Sequence, residues 1–221
     1  MSLTAVIIGA TGLVGSALLK KLLFHKDIDK VIAVSRRPLN VNSPKLDNLV
    51  IDFFAVDSIA DKIHGDVFFS CLGTTKKQAG SIAAQRIVDF DYQLEFARIA
   101  AANGIPHYCL VSSSAANSSS LSPYLKMKGE LEDQIKDLNF QRITILQPSL
   151  LLGQRHEQRT GESIGALLLP WLCRLPGLRR YRPIQGEEVA TKLLQQALRP
   201  AAMAAKIDTL ALDNVFPQKD Q

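Results

Sequence analysis

The sequence predicts a doubly wound parallel α/β sheet (a Rossmann-type fold) in a single domain, and three observations predict it. Short apolar runs rich in β-branched residues alternate with longer stretches of helical periodicity through the first two-thirds of the chain. These runs are nearly continuous in hydrophobicity, as strands buried on both faces are. A glycine turn, Gly9-Ala10-Thr11-Gly12-Leu13-Val14-Gly15, joins the first run to the first periodic stretch.

Taken in order, residues 5–8 form the first strand and residues 14–24 the helix that opens at the glycine turn. Strands are expected at 31–34, 49–53 and 67–71, then a helix over 83–102 that Asn103-Gly104 closes. A strand at 108–112 is followed by a helix over 123–138, with Ser122 as N-cap and Pro123 in the first helical position. A strand at 143–146, a helix over 187–198 and a last strand at 206–212 complete the pattern. Glu187 and Glu188 fall in the first turn of that last helix, where the helix dipole favours acids. Alternation at this spacing implies right-handed βαβ crossovers. No repeat or inter-domain linker interrupts residues 1–221, and only the Ser-rich loop 116–122 is low in complexity.

A chain of 221 residues buries a sizeable core without disulfide or metal staples. Its longest near-continuous apolar run, 164–173, contains Gly165 and Pro170 and falls short of the roughly 20 residues a membrane span needs. Residues 3–8 run straight into the glycine turn with no basic leader, so no secretory signal is expected. Cys71, Cys109 and Cys173 are far apart and lack C-x-x-C spacing, so the expected location is a reducing cytoplasm. The histidines at 25, 64, 107 and 156 are equally scattered, and no metal site is expected. The net charge is +5, and residues 155–182 alone hold six basic and two acidic side chains. Tyr181 is the one aromatic beside those arginines, so there is no stacking platform for nucleic acid. The local charge suits an anionic substrate, an acidic partner surface or simply a solvated loop.

The glycine turn has a backbone chemistry of its own. Glycines permit a tight turn and the close approach of a pyrophosphate, and the following helix N-terminus offers N–H groups and a positive dipole end. Gly9, Thr11, Gly12, Leu13, Val14 and Gly15 are therefore candidate dinucleotide contacts. An NAD(H) site would want an acid at the end of the second strand, to hold the ribose 2′-hydroxyl. Ser35, Arg36 and Arg37 stand there instead, a hydroxyl and two guanidiniums suited to a 2′-phosphate. NADP(H) is the expected cofactor, with NAD(H) as the alternative.

The fifth strand ends in Ser112-Ser113-Ser114, and the next helix carries Tyr124 and Lys128. Positions i and i+4 share a helix face. A nearby ammonium favours the phenolate, so Tyr124 becomes an acid–base group able to exchange a proton with a substrate hydroxyl during hydride transfer. Ser113 or Ser114 would hold the substrate oxygen, with Ser113 preferred.

On these residues the chain resembles the short-chain dehydrogenase/reductase superfamily over nearly its whole length. It is most similar to the small atypical branch of Tat-interacting-protein oxidoreductases and their bacterial relatives. The more specific matches are Cys71-Leu72-Gly73-Thr74-Thr75-Lys76-Lys77-Gln78-Ala79-Gly80-Ser81, Tyr124-Leu125-Lys126-Met127-Lys128-Gly129-Glu130 and Gln147-Pro148-Ser149-Leu150-Leu151-Leu152-Gly153-Gln154-Arg155. The resemblance implies that Cys71, Leu72, Gly73 and Thr74 line the cofactor site, and that Pro148 and Leu150 lie near the nicotinamide. It also implies that residues 155–186 cover the substrate. An asparagine that many members carry on the fourth helix falls on Asp89, which puts an asparagine-dependent proton relay in doubt.

The function expected from this reading is NADP(H)-dependent interconversion of a small carbonyl compound and its alcohol. Two alternatives stand beside it. One is a nucleotide-sugar epimerase or dehydratase, against which only about 68 residues follow Gly153. The other is an NADP(H)-sensing protein whose partner binding follows cofactor occupancy. Oligomeric state is left open.

Overall fold

A computed structural model describes residues 2–152, 183–200 and 204–211. Seven strands form one sheet in the order β3-β2-β1-β4-β5-β6-β9, and every neighbouring pair is parallel. They are β1 (Leu3–Ile8), β2 (Ile28–Ser35), β3 (Leu46–Val50), β4 (Val67–Ser70), β5 (His107–Val111), β6 (Arg142–Gln147) and β9 (Ile207–Ala211). A two-residue parallel ladder, β7 (Leu151–Leu152) with β8 (Ile184–Gln185), stands apart from it.

Burial follows position in the sheet. β4 and β5 are buried at every residue, whereas the edge strands β3 and β9 are only partly covered. This is why the central strands read as continuous apolar runs: both faces carry helices. On one face α1 (Leu13–Phe24) and α6 (Gly186–Leu198) pack Leu18, Leu22, Val189 and Leu193 against Ile7, Ala33 and Phe69. The other face is covered by a 3₁₀ helix (Phe53–Lys62), α4 (Tyr92–Ala102) and α5 (Pro123–Lys136). There Phe96, Leu131 and Ile135 meet Phe68, Tyr108 and Ile145, and the rings of Phe68 and Tyr108 stack at 5.2 Å.

Local sequence explains most element ends. Pro123 opens α5 and Ser122 is its cap residue, although the Ser122 side chain makes no capping bond. The strand expected over 49–53 stops at Val50. Asp52 accepts a hydrogen bond from the Phe54 N–H at 3.1 Å and starts the 3₁₀ helix, so Phe53 belongs to a helix. The helix expected over 83–102 is broken into α3 (Ile82–Arg86), a π turn (Ile87–Asp91) and α4, with a short α2 (Lys76–Ala79) before them. In the π turn Tyr92 N–H donates to Ile87 O, five residues back. The segment 155–186, expected to cover a substrate, lies outside the described residues up to position 182, as do Arg155, Trp171 and Tyr181.

Candidate functional site

Strand order reverses between β1 and β4, and in open α/β sheets ligands bind at such a switch point, beyond the strand ends. A cleft of about 1640 Å³ lies there. That exceeds the about 300–1000 Å³ of ordinary small-molecule pockets and leaves room for an extended ligand beside a second one.

The glycine turn forms the floor. Gly9 has φ +78° and passes so close to β4's end that a Cβ would lie 2.5 Å from the Cys71 carbonyl carbon and oxygen. Gly12 N–H closes the turn onto Gly9 O at 3.0 Å. Thr11, Gly12, Leu13 and Val14 line the cleft, while Gly9 and Gly15 shape it from beneath. The first N–H groups of α1 lack intrahelical acceptors, so a flat glycine floor meets a helix N-terminus, the arrangement a pyrophosphate requires.

At one end stand Arg36 and Arg37, both exposed and lining the cleft, with the Arg36 guanidinium 6.0 Å from the Phe53 ring centre. Ser35 is placed differently from the two arginines. It is buried, donates to Arg37 O at 2.7 Å and accepts from Asn48 Nδ2 at 2.9 Å, so its hydroxyl braces the loop.

The other end brings together the residues expected to carry chemistry. Cys71, Leu72, Gly73, Thr74, Ser113, Ser114, Tyr124, Lys128, Pro148 and Leu150 all line the same cleft as the glycine turn. Burial pushes the Cys71 thiol up to about 12, so it stands in the cleft wall as a neutral thiol. Ser113 and Ser114 are both half-buried at the cleft, and Ser114 N–H donates to Pro148 O at 2.8 Å. Ser112 also lines the cleft, but its hydroxyl is committed to the buried carboxylate of Glu132, to which it donates. Gly129 lets this loop approach α5, since a Cβ there would collide with the backbone of Asn117 and Ser118.

Two groups escaped the sequence reading. Asp89, read only as the replacement of an asparagine, places Oδ1 3.1 Å from Lys128 Nζ, with the two side chains 1% and 3% exposed. The contact is an ion pair without hydrogen-bond alignment, because Asp89 Oδ1 has no hydrogen-bond partner. Glu132 accepts from Gln147 Nε2 at 2.9 and 3.0 Å as well as from Ser112. An acid one helical turn beyond Lys128, on the buried stripe of an otherwise amphipathic helix, was the available signal.

A family model described as NAD(P)H-binding matches residues 9–165. The chain is 39% identical over 202 residues to "Protein FMP52, mitochondrial" of Candida glabrata, spanning 90% of this chain and 86% of that protein. It is 43% identical over 203 residues to the protein of the same name from Meyerozyma guilliermondii (89% and 86% covered). It is 40% identical over 172 residues to Protein HTATIP2 of Rattus norvegicus (76% and 67% covered). Among solved structures it superposes with a TM-score of 0.70 on MoeE5 in complex with UDP-glucuronic acid and NAD, at 17% identity over 94% of this chain and 75% of that one. A UDP-N-acetylglucosamine 4-epimerase from Methanobrevibacter ruminantium M1 gives 0.68 at 16% identity, over 96% and 77%. These structural likenesses speak for the fold.

Sheet order, glycine turn and family model together define an NAD(P)-binding protein of the Rossmann type. The chain belongs to the atypical short-chain dehydrogenase/reductase family, among the HTATIP2 and FMP52 proteins. One expectation is overturned at this point. Cytoplasm was expected from unpaired cysteines, but similar proteins from three fungi are named as mitochondrial. Cysteine usage reports a reducing environment, which does not by itself distinguish one compartment from another.

Proposed function

We propose that the protein is an NADP(H)-dependent oxidoreductase acting on a small carbonyl compound or the matching alcohol. The observation that carries this reading is that Tyr124, Lys128, Ser113 and Ser114 line one cleft with the glycine turn. The bound cofactor supplies or accepts the hydride. Tyr124 Oη gives a proton to the carbonyl oxygen in reduction and takes it from the hydroxyl in oxidation. Lys128, on the same face of α5, would hold the cofactor ribose beside Tyr124. Ser113 Oγ donates a hydrogen bond to the substrate oxygen, with Ser114 as the alternative in the same loop. Arg36 and Arg37 grip a 2′-phosphate with charge-assisted hydrogen bonds, which favours NADP(H) over NAD(H). Cys71 through Thr74, with Pro148 and Leu150, form the walls. The basic excess at 155–182 supports an anionic substrate or an acidic protein partner.

Fluorescence titration with NADPH and NADH, followed by a screen of carbonyl compounds and alcohols, tests this reading. Tighter NADPH binding with turnover of a carbonyl compound is expected. Tighter NADH binding would remove the role given to the arginines. Absence of turnover, with a protein partner retained only in the presence of NADPH, would shift the role to sensing.

A further inference from the structure

Asn48 plays no part in the mechanism above, yet its whole amide is committed around the loop that carries Arg36 and Arg37. It stands in the middle of β3, in register with Ala33 of β2. Nδ2 donates to Ala33 O at 2.9 Å and to Ser35 Oγ at 2.9 Å, and Oδ1 accepts the Leu39 N–H at 2.9 Å. Both amide hydrogens and the amide oxygen are therefore engaged. The partners also fix which way the amide points, since the Ala33 carbonyl can only accept and the Leu39 N–H can only donate. Ser35 passes the connection on: its hydroxyl accepts from Asn48 and donates to Arg37 O at 2.7 Å. Asparagine is depleted in strands, so these bonds and not strand propensity account for its place in β3.

The grip falls on one short stretch of chain. Ile51 N–H holds Ser35 O at 3.0 Å, and Leu39 packs against the core beneath α1. Between them Pro38 contributes a fixed φ and no N–H. The main chain is thus tied at Ser35, at the Arg37 carbonyl and at the Leu39 N–H. The Arg36 and Arg37 side chains remain exposed and line the cleft. The geometry points to Asn48 as a positioning residue for the choice of cofactor. Acting through Ser35 and the Leu39 N–H, it holds the backbone of Arg36-Arg37-Pro38 so that both guanidiniums stand where a 2′-phosphate is met. This rests on the reading of Arg36 and Arg37 as the groups that bind that phosphate. Two long side chains lose rotamer freedom when they close on one anion, and a backbone already fixed leaves less to be ordered. NADH carries no 2′-phosphate and gains nothing from this preorganisation, so the brace favours NADPH alone.

The test titrates NADPH and NADH by fluorescence into the full chain, for wild type, Asn48→Ala and Ser35→Ala. Amide hydrogen exchange of the same proteins without cofactor is read by mass spectrometry on peptides that contain Leu39. Asn48→Ala is expected to speed exchange at Leu39 and to weaken NADPH about threefold to tenfold, the range for an ordinary hydrogen bond. NADH affinity is expected to stay within about twofold. Ser35→Ala cuts only the link to Arg37 O and is expected to weaken NADPH by a smaller factor, again sparing NADH. It keeps the inference falsifiable should Asn48→Ala fold poorly. With Arg36→Ala and Arg37→Ala already in place, Asn48→Ala should cost no further NADPH affinity, because no guanidinium is left to aim. An asparagine that only supports the sheet would weaken both cofactors alike, and would weaken NADPH by the same factor with the arginines gone. Either result would overturn the inference, as would unchanged exchange at Leu39 in Asn48→Ala. Failure of the NADP(H) reading looks different. Replacing the arginines alone would then weaken both cofactors equally while Leu39 exchange still followed Asn48, and the role in cofactor choice would fall with the arginines.

Discussion

The Ser112 hydroxyl donates to Glu132 across twenty residues of sequence, and both side chains are buried. This bond fixes the start of the serine run to the middle of α5, next to the turn that carries Lys128. Burial pushes the Glu132 carboxyl above its usual value, despite the opposing pull of the Ser112 and Gln147 hydrogen bonds. A carboxyl raised in the folded state holds its proton better there than in the unfolded chain. Its contribution to stability is therefore full below the unfolded value of about 4.3 and is lost as pH rises through the folded value. Glu132→Gln is expected to gain on wild type as pH rises through that window, as read by urea unfolding. Glu132→Ala leaves the buried Ser112 hydroxyl and the half-buried Gln147 amide without their acceptor and is expected to cost about 1–3 kcal/mol.

Gly129 is predicted to be intolerant of a side chain. A Cβ there meets the Asn117 and Ser118 backbone, which cannot move without shifting the loop that carries Ser113 and Ser114. Gly129→Ala is expected to lose about 1–3 kcal/mol, the range for overpacking, despite alanine's better helix propensity. Thermal unfolding reads the loss, and an unchanged midpoint would show that the loop is free to give.

At the cofactor's adenosine end, charge is expected to set the preference. Replacing Arg36 and Arg37 together by alanine should weaken NADPH binding by about tenfold to a hundredfold, the range for lost charge-assisted hydrogen bonds, and leave NADH binding nearly unchanged. Parallel fluorescence titrations measure both. Equal weakening for the two cofactors would mean that the arginines shape the loop and do not read the phosphate.

Acid sensitivity should arise far from the cleft. His107 is buried against Thr144 Oγ1 at 2.9 Å, and burial, reinforced by Arg142, pushes it down to about 3. A histidine depressed in the folded state contributes stability that is present above the unfolded value of about 6.5 and is lost as pH falls toward the folded one. His107→Gln should unfold less steeply with acid across that window, as followed by urea midpoints.

The sheet was legible in the sequence because its central strands are covered on both faces, which leaves continuous apolar runs such as those of β4 and β5. The glycine turn was legible because its chemistry is local. Edges and interruptions were not. Asp52 ends an apolar run by capping a 3₁₀ helix, so Leu49 to Phe53 reads as one strand although Phe53 lies in the next element. The π turn has no local signature, because Asp89 is drawn inward by Lys128, Thr74 and Gln93, which are distant or lie on the far side of the turn. Tyr124 and Lys128 were visible through helical spacing, but the carboxylate between Lys128 and the opposite wall becomes visible only once the chain is folded.

The most direct test of the account is NADPH consumption across a panel of carbonyl compounds, measured for wild type and Tyr124→Phe together with the NADPH affinity of each. The account predicts turnover by wild type, a loss of at least about a hundredfold in Tyr124→Phe from the missing proton donor, and nearly equal cofactor affinity. Equal turnover by the two proteins would contradict it.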